Sequence, residues 1–142
     1  MSLVLRPTRR YVLLIEDEKF QAHLFSKIIE NEIAEFGYSV VTLDNGRDAL
    51  KFFSGQKILE INQEEVGLVL LDLAIHDISG LQILEKINSK FLAKIPVAVL
   101  SANDDKKIRQ EALGLGAADY FVKGKNLEEL NRLREFIIKK MR

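Results

Sequence analysis

The stretch that decides the fold is Gly67-Leu-Val-Leu-Leu-Asp-Leu-Ala74. Its apolar run at 67–71 shows no alternation, which predicts a strand buried on both faces, as in the middle of a parallel sheet. The next segment, 76–80, is rich in turn residues and predicts a loop. We therefore expect Asp72 at the carboxyl end of a central strand, where open α/β sheets bind their ligands. Asp also caps turns frequently, so Asp72 alone would not establish a functional site.

The composition is that of an ordinary globular chain. The 142 residues fit one domain with one core, and 47% of them are hydrophobic and 30% charged. Lys+Arg and Asp+Glu both number 21, so no net charge favours nucleic acid or an anionic membrane. The absence of cysteine excludes disulfides and thiol chemistry. Without a membrane-length apolar stretch or a signal-peptide pattern, we expect a cytoplasmic location.

Strand and helix patterns alternate along the rest of the chain. Residues 1–10 predict a flexible N-terminal tail, and residues 11–142 a single domain. The stretch 56–66 either extends a helix or forms a loop. Five strand–helix units predict an α/β fold, a doubly wound five-stranded parallel sheet in a flavodoxin-like three-layer sandwich. The predicted strands are 11–15, 39–43, 67–71, 97–100 and 119–122, and the predicted helices are 19–36, 47–53, 81–91, 104–115 and 127–141.

Polar residues follow or end four of the predicted strands. Because the carboxyl ends of parallel strands meet at one edge of a sheet, we expect these side chains to converge. Neighbouring carboxylates disfavour one another's ionisation, so positive charge must offset them. A lysine supplies part of it, and Mg²⁺, which prefers oxygen ligands, is the natural remainder. The residues concerned are Glu16, Asp17, Asp72, Ser101 and Lys123.

This set of side chains suits phosphoryl chemistry. With Mg²⁺ present, Asp72 would act as a nucleophile toward a phosphoryl group. Ser101 would hydrogen-bond one phosphate oxygen, and Lys123 would pair with another. Each residue alone has a simpler interpretation, since strand-end acids cap turns and single lysines are usually solvated. Matching polar residues at four strand ends make the combined functional interpretation the better one.

Four segments, in order along the chain, resemble the response-regulator receiver domain of two-component signalling from about Tyr11 to Lys140. They resemble the family's acidic pair, its phosphoacceptor segment, its Thr/Ser strand and its lysine segment. The resemblance implies that 11–142 is a receiver domain. The segments are Leu13-Leu-Ile-Glu16-Asp17-Glu18, Leu68-Val-Leu-Leu-Asp72-Leu with Asp77-Ile-Ser-Gly80, Pro96-Val-Ala-Val-Leu-Ser101-Ala102, and Gly116-Ala-Ala-Asp-Tyr120-Phe-Val-Lys123.

The resemblance implies a specific reaction and metal site. A sensor histidine kinase or a phosphotransfer protein would donate a phosphoryl group from a phosphohistidine to Asp72. Mg²⁺ would be bound by Glu16 or Asp17, by Asp72 and by the backbone carbonyl of Ala74. The chain would then be a signalling domain with at most slow self-catalysed phosphotransfer and dephosphorylation, and not an enzyme in the ordinary sense.

The resemblance also implies a switch. Ser101 would move toward the phosphoryl oxygen, and Tyr120 would reorient as the family's switch aromatic. Tyr120 equally fits an aromatic side chain that packs at the edge of the sheet. The output would pass to a downstream protein target, without direct contact to nucleic acid or membrane.

The sequence departs from the family pattern at four positions. Glu16 stands where the family usually has Asp, and His76 stands where it commonly has Pro. Ala74 leaves no side chain to shield an acyl phosphate. Gly124 replaces the Pro that follows the family's lysine. Since a non-proline cis bond costs about 2.5–4 kcal/mol, we predict a trans bond before Gly124, an unusual φ there, and Lys123 still directed at the acidic residues.

Two other classes of function share parts of this sequence pattern. A haloacid-dehalogenase-like phosphatase also uses an Asp nucleophile and Mg²⁺, but its pattern is Asp-x-Asp, and Ala74 occupies the second position here. In that family the nucleophile also follows the first strand. A pseudo-receiver would keep the fold and bind partners without phosphorylation. The departures leave room for this interpretation, whereas Asp72, Ser101 and Lys123 favour phosphorylation.

Overall fold

The computed structural model describes residues 9–142. Most of the predicted tail, residues 1–8, lies outside the described residues. Arg9 and Arg10 are tied to the start of the central strand: Arg9 Nη1 donates to the Val66 carbonyl at 2.6 Å, and the Arg10 N–H donates to the Glu65 carbonyl at 2.8 Å.

Residues 9–142 contain one sheet of five parallel strands: β1 (Tyr11–Ile15), β2 (Ser39–Leu43), β3 (Val66–Leu71), β4 (Val97–Ser101) and β5 (Tyr120–Val122). Their order across the sheet is β2-β1-β3-β4-β5. The unbroken apolar runs of β1 and β3 form strands because both faces of the sheet are covered there. β3 lies at the centre of the sheet, and every residue of it but one is buried. The edge strand β2, which contains Ser39 and Thr42, is only partly buried.

In the described part of the chain, six α-helices connect and follow the strands. The same part contains two short 3₁₀ helices, Ala34–Phe36 and Gln63–Glu65, between the longer elements. Gly37, at φ +78°, ends the first helical segment as predicted. The helices are α1 (Lys19–Ile33), α2 (Gly46–Phe53), α3 (Gly80–Lys86), α4 (Ser89–Lys94), α5 (Lys106–Gly114) and α6 (Leu127–Met141).

The sheet separates two hydrophobic cores. Side chains of successive strand residues point to opposite faces, so Leu13 enters one core and Leu14 the other. Helices α2 to α5 cover one face, and α1 and α6 cover the other. The predicted doubly wound, three-layer α/β fold is thus confirmed. In residues 9–142, no helix combines the length and apolar character needed to span a bilayer.

The predicted helix 81–91 is wrong in one respect, because the structure divides it into α3 and α4. Ile87 adopts an extended conformation with ψ 126°, which ends α3. The Asn88 side chain then accepts the Phe91 N–H at 2.8 Å and caps α4. The apolar spacing continues across the break, since Ile87 and Phe91 are both buried in the same core. Hydrophobic periodicity alone therefore could not reveal it.

The stretch 56–66 does not extend α2: residues 56–62 form a loop, a 3₁₀ helix follows, and Val66 begins β3. Ile58 and Ile61 form an antiparallel bridge, with reciprocal backbone hydrogen bonds of 3.0 and 2.9 Å. Leu59 and Glu60 between them have φ values of 54° and 62°. The pair is a tight two-residue turn made without glycine. The chain then enters β3 through the 3₁₀ helix.

A group of charged side chains covers the outer edge of β5, and we call it the β5 edge cluster: Arg109, Asp119, Glu129 and Arg132. Arg132 bonds Asp119 at 2.9 Å and Glu129 at 2.8 Å. Both arginines donate to the Tyr120 carbonyl, and Glu129 accepts the N–H of the strand residue at 122. These bonds satisfy backbone groups that an edge strand leaves without a partner strand.

Candidate functional site

The polar residues at the carboxyl ends of the strands converge at one edge of the sheet. Glu16 and Asp17 follow β1, Asp72 follows β3, Ser101 ends β4, and Lys123 follows β5. All five line one open cavity of about 660 Å³. The structure therefore brings together the side chains that the sequence singled out. We call Glu16, Asp17 and Asp72 the acidic cluster.

Lys123 lies between two of the carboxylates. Its Nζ bonds a carboxylate oxygen of Glu16 and lies 3.1 Å from Asp72 Oδ2. Glu16 is 2% exposed and Asp72 5%, and the Lys123 side chain is nearly as buried. The Lys123 ammonium also lies 5.6 Å from the centre of the Phe25 ring. Water is thus largely excluded from these charges, which strengthens every interaction among them.

Three carboxylates with one lysine leave the site short of positive charge. Burial raises the pKa of Glu16 above its ordinary value, and neighbouring Asp72 raises it further, against the opposing hydrogen bond from Lys123. One oxygen from each member of the acidic cluster lies within 4.8 Å of the other two. A compact set of oxygen donors with surplus negative charge fits a hard divalent cation such as Mg²⁺.

The Asp72 carboxylate is held from two sides. Oδ1 accepts the Ala74 N–H at 3.1 Å, while Oδ2 faces Lys123. The start of α3 packs directly against the backbone of Asp72: a Cβ on Gly80 would lie 2.5 Å from the Asp72 carbonyl oxygen. Only glycine allows α3 to begin so close to the strand. An oriented, mostly buried carboxylate at the floor of a cavity is suited to act as a nucleophile.

Asp17 is bound by a residue whose contact the sequence did not predict. The backbone N–H and the ring Nδ1 of His76 both lie 2.7 Å from Asp17 Oδ2. Partial burial acts to raise the pKa of Asp17, but the hydrogen bonds from His76 outweigh it and lower the pKa below its ordinary value. The same contact raises the pKa of the His76 imidazole. Glu18, the third acid of the segment, caps α1 instead of joining the cluster.

Ser101 and Tyr120 are linked through Asn103. The Asn103 N–H donates to Ser101 Oγ at 3.2 Å, and the Tyr120 hydroxyl donates to the Asn103 carbonyl at 2.7 Å. Tyr120 is fully buried in the core and lies on the edge strand β5, which agrees with an aromatic side chain that packs at the edge of the sheet. Its role as the switch aromatic stays a prediction. Burial raises the pKa of its hydroxyl. Sequence reasoning missed Asn103, for which the only signal was an Asn two residues after Ser101.

The bond between Lys123 and Gly124 is trans, as predicted, since residues 9–142 contain no cis peptide. Gly124 has φ +66°, a left-handed conformation that glycine adopts without steric cost. Lys123 still reaches the acidic cluster. With Gly124 in this conformation, the chain directs Lys123 at the acidic cluster through a trans bond.

The chain belongs to the response regulator receiver domain family, whose model matches residues 12–134. It is 28% identical over 129 residues to the transcriptional regulatory protein CrdR of Helicobacter pylori, covering 90% of this chain and 55% of CrdR. It is 32% identical over 123 residues to the probable transcriptional regulator ycf27 of Guillardia theta, covering 87% of this chain and 43% of ycf27. The chain thus spans about half the length of these curated relatives.

Solved structures give the same fold. The phosphorylated cyanobacterial phytochrome response regulator RcpA superposes with a TM-score of 0.72 at 25% identity, over 93% of this chain and 91% of that one. The Mn²⁺-bound form of response regulator Rcp1 gives a TM-score of 0.71 at 25% identity, over 90% and 91% of the two chains. The resemblance inferred from the four sequence segments is therefore confirmed at the level of family and fold.

Proposed function

We propose that the chain is a phosphorylation-dependent signalling switch that accepts a phosphoryl group on Asp72 in a Mg²⁺-dependent reaction. The observation that carries this proposal is the Asp72 carboxylate, 5% exposed and held between the Lys123 ammonium and the Ala74 N–H at the floor of the cavity. The donor is a phosphohistidine of a sensor histidine kinase or a phosphotransfer protein. We expect the chain to work in the cytoplasm, where such donors act.

In the proposed transfer, a carboxylate oxygen of Asp72 forms a bond to phosphorus while the bond from phosphorus to the donor imidazole nitrogen breaks. The electron pair of the broken bond stays on that nitrogen. Lys123 balances charge on the carboxylate and the phosphoryl oxygens. Glu16, Asp17, Asp72 and the Ala74 carbonyl would hold Mg²⁺, which supplies further charge neutralisation when bound. Both this transfer and the later hydrolysis are slow and self-catalysed, so the chain acts as a switch.

The switch signal travels from Ser101 to Tyr120. A phosphoryl group on Asp72 attracts the Ser101 hydroxyl, which draws Oγ away from the Asn103 N–H. The Tyr120 hydroxyl depends on the carbonyl of the same Asn103, so its anchor shifts with the loop. Tyr120 then reorients and alters the surface of α5, β5 and α6, which we assign to a downstream protein target.

An exposed apolar rim beside Lys123 supports docking of a protein donor. Phe20 and Leu127 are each 68% exposed, and Leu24 is also exposed. Leu24 and Leu127 border an apolar groove of about 360 Å³ between α1 and α6, which Lys123 and Gly124 also line. A helical phosphotransfer partner could cover this rim and bring its histidine over the cavity.

Intact mass after incubation with a small-molecule phosphodonor, with and without Mg²⁺, tests the proposal. We expect one added phosphoryl group that requires Mg²⁺, and no adduct on Asp72→Asn, which keeps the shape of the side chain. Asp119→Asn, which changes a carboxylate at the outer edge of β5, is the matched control and should still be labelled. Labelling of Asp72→Asn at the wild-type rate would contradict the assignment. Steady turnover would indicate a phosphatase, and no reaction a pseudo-receiver.

A further inference from the structure

The contact between His76 and Asp17 joins two segments that lie 59 residues apart in the sequence. Both donors of His76, its backbone N–H and its ring Nδ1, meet the same oxygen of Asp17 at 2.7 Å. The His76 side chain is 72% exposed, so core packing does not explain its conformation. The two hydrogen bonds to Oδ2 fix the direction of the Asp17 carboxylate. Either bond alone would leave that carboxylate free to rotate about the bond.

The loop that carries His76 is anchored independently of Asp17. The carboxylate of Asp77 accepts the N–H groups of Gly46 at 2.8 Å and Arg47 at 3.1 Å, which ties the loop to the start of α2. The other end of the loop packs through Gly80 against the backbone of the phosphoacceptor. Because the loop is fixed, the contact acts on Asp17, and His76 is the residue that does the positioning.

By fixing the Asp17 carboxylate, His76 affects how the acidic cluster can bind a cation. His76 takes up Oδ2, which leaves Oδ1 for a cation, and an oxygen of Asp17 lies within 4.8 Å of ligand oxygens of Glu16 and Asp72. An unrestrained Asp would lose side-chain rotamer freedom when it bound an ion. A side chain that is already fixed avoids much of this cost. The hydrogen-bond partners of metal ligands commonly affect metal affinity by 10–100-fold.

We propose that His76 is a positioning residue that holds the Asp17 carboxylate in the direction required for Mg²⁺. This inference rests on the proposed function, in which Asp17 is a metal ligand, and it assigns a role to a residue at which the chain departs from the family's common proline. Proline lacks a backbone N–H and an imidazole, so it could make neither of the two hydrogen bonds.

A Mg²⁺ titration of the full chain, followed by the amide shifts in NMR spectra, measures the effect directly and reports folding in the same experiment. We expect His76→Ala to weaken Mg²⁺ binding about tenfold. His76→Asn should keep most of the affinity, because its amide nitrogen occupies nearly the position of Nδ1. His23→Ala changes the other histidine, an exposed residue of α1, and should bind Mg²⁺ like the wild type. The metal-free spectra and unfolding temperatures should match throughout.

A double-mutant cycle separates positioning from a general structural effect. In an Asp17→Ala background, His76→Ala should cause no further loss, because the carboxylate that it positions is gone. Unchanged or tighter Mg²⁺ binding in His76→Ala overturns the inference, and so does an equal loss in His76→Asn. If those results come with Mg²⁺-dependent phosphorylation of the wild type, the proposed function stands. If the wild type binds no Mg²⁺ and forms no adduct, both fall.

Discussion

The acidic cluster and the β5 edge cluster hold charge in opposite ways. In the first, Lys123 pairs with two of three carboxylates, and Glu16, Asp72 and Lys123 are almost wholly buried. In the second, two arginines and two carboxylates balance, and the Arg132 side chain is 37% exposed. The β5 edge cluster bonds the backbone of an edge strand, whereas each carboxylate of the acidic cluster accepts an N–H from a loop beside it.

This difference is our reason for assigning the ligand site to the acidic cluster. Balanced charges that satisfy backbone groups stabilise the sheet and require nothing further. Unbalanced buried charge is costly for the folded chain, and a bound cation or phosphoryl group relieves or uses that cost. Similar groups of charged side chains on one sheet can therefore be separated into structural and functional ones by charge balance and burial.

Replacing one basic residue in each cluster should show the largest difference in stability between the two clusters. Lys123→Met leaves Glu16 and Asp72 buried without their partner, and we expect it to lower the free energy of unfolding by about 3 kcal/mol at neutral pH. Urea unfolding monitored by circular dichroism measures the loss. Added Mg²⁺ should recover part of it, because the cation replaces the missing charge. A loss below that of the matched edge variant, Arg132→Met, would contradict our assignment of the two clusters.

Mg²⁺ should stabilise the chain through the acidic cluster alone. At one hundred times its dissociation constant, a ligand that binds only the folded state adds about 2.7 kcal/mol to the free energy of unfolding. Asp17→Ala should lose this gain and should also suppress Mg²⁺-dependent phosphorylation. Asp119→Ala, in the β5 edge cluster, should retain both. An unchanged Mg²⁺ titration for Asp17→Ala would exclude Asp17 as a ligand.

Arg132→Met should destabilise the chain by about 1 kcal/mol, less than the change at Lys123, because water reaches and screens this partly exposed group of charges. The methionine keeps the apolar stem over the Phe121 ring, from which the guanidinium lies 4.1 Å. The free energy of unfolding at neutral pH measures the change. Phosphorylation of Asp72 should be unaffected, and a loss of labelling in this variant would show that the two clusters are not independent.

The smallest effect concerns acid pH at the β5 edge. Burial acts to raise the pKa of Glu129, but hydrogen bonds from Arg132 and the backbone at Val122 lower it below its ordinary value. A lowered pKa in the folded state contributes stability above the ordinary Glu value, and the contribution is lost as pH falls through the lowered pKa. Glu129→Gln should therefore cost at most about 1 kcal/mol at neutral pH. Unfolding curves should converge with the wild type in acid, and a gap that widens there would refute this.

The strands and the positions of the site residues could be predicted because they depend on local patterns. The unbroken apolar run Tyr11–Ile15 located β1 at its observed bounds, and the polar residues after the runs of β1 and β3 marked the candidate functional edge. The break between α3 and α4 at Asn88 could not be predicted, because the apolar spacing continues on both sides of it. The turn at Leu59 and Glu60 has no glycine to signal it.

The contacts that depend on tertiary structure could not be predicted from sequence. His76 and Asp17 meet only because the loops after β1 and β3 lie side by side. From sequence alone, Arg132 is an ordinary solvated charge on α6. Its contacts with β5 depend on the strand order, which places β5 at the edge of the sheet. In both cases the decisive partner is a backbone group or a carboxylate of another segment.

The turn at Leu59 and Glu60 has a consequence for how this chain tolerates change. Left-handed backbone costs an ordinary residue about 1–2 kcal/mol, and the chain carries two such residues in succession. Asn or Gly at these positions would relieve that strain without altering a single charged group of the acidic cluster. Substitutions in this solvent-facing turn could therefore increase the stability of the fold. The added stability could offset destabilising substitutions around Asp72, so the turn could affect how the site evolves.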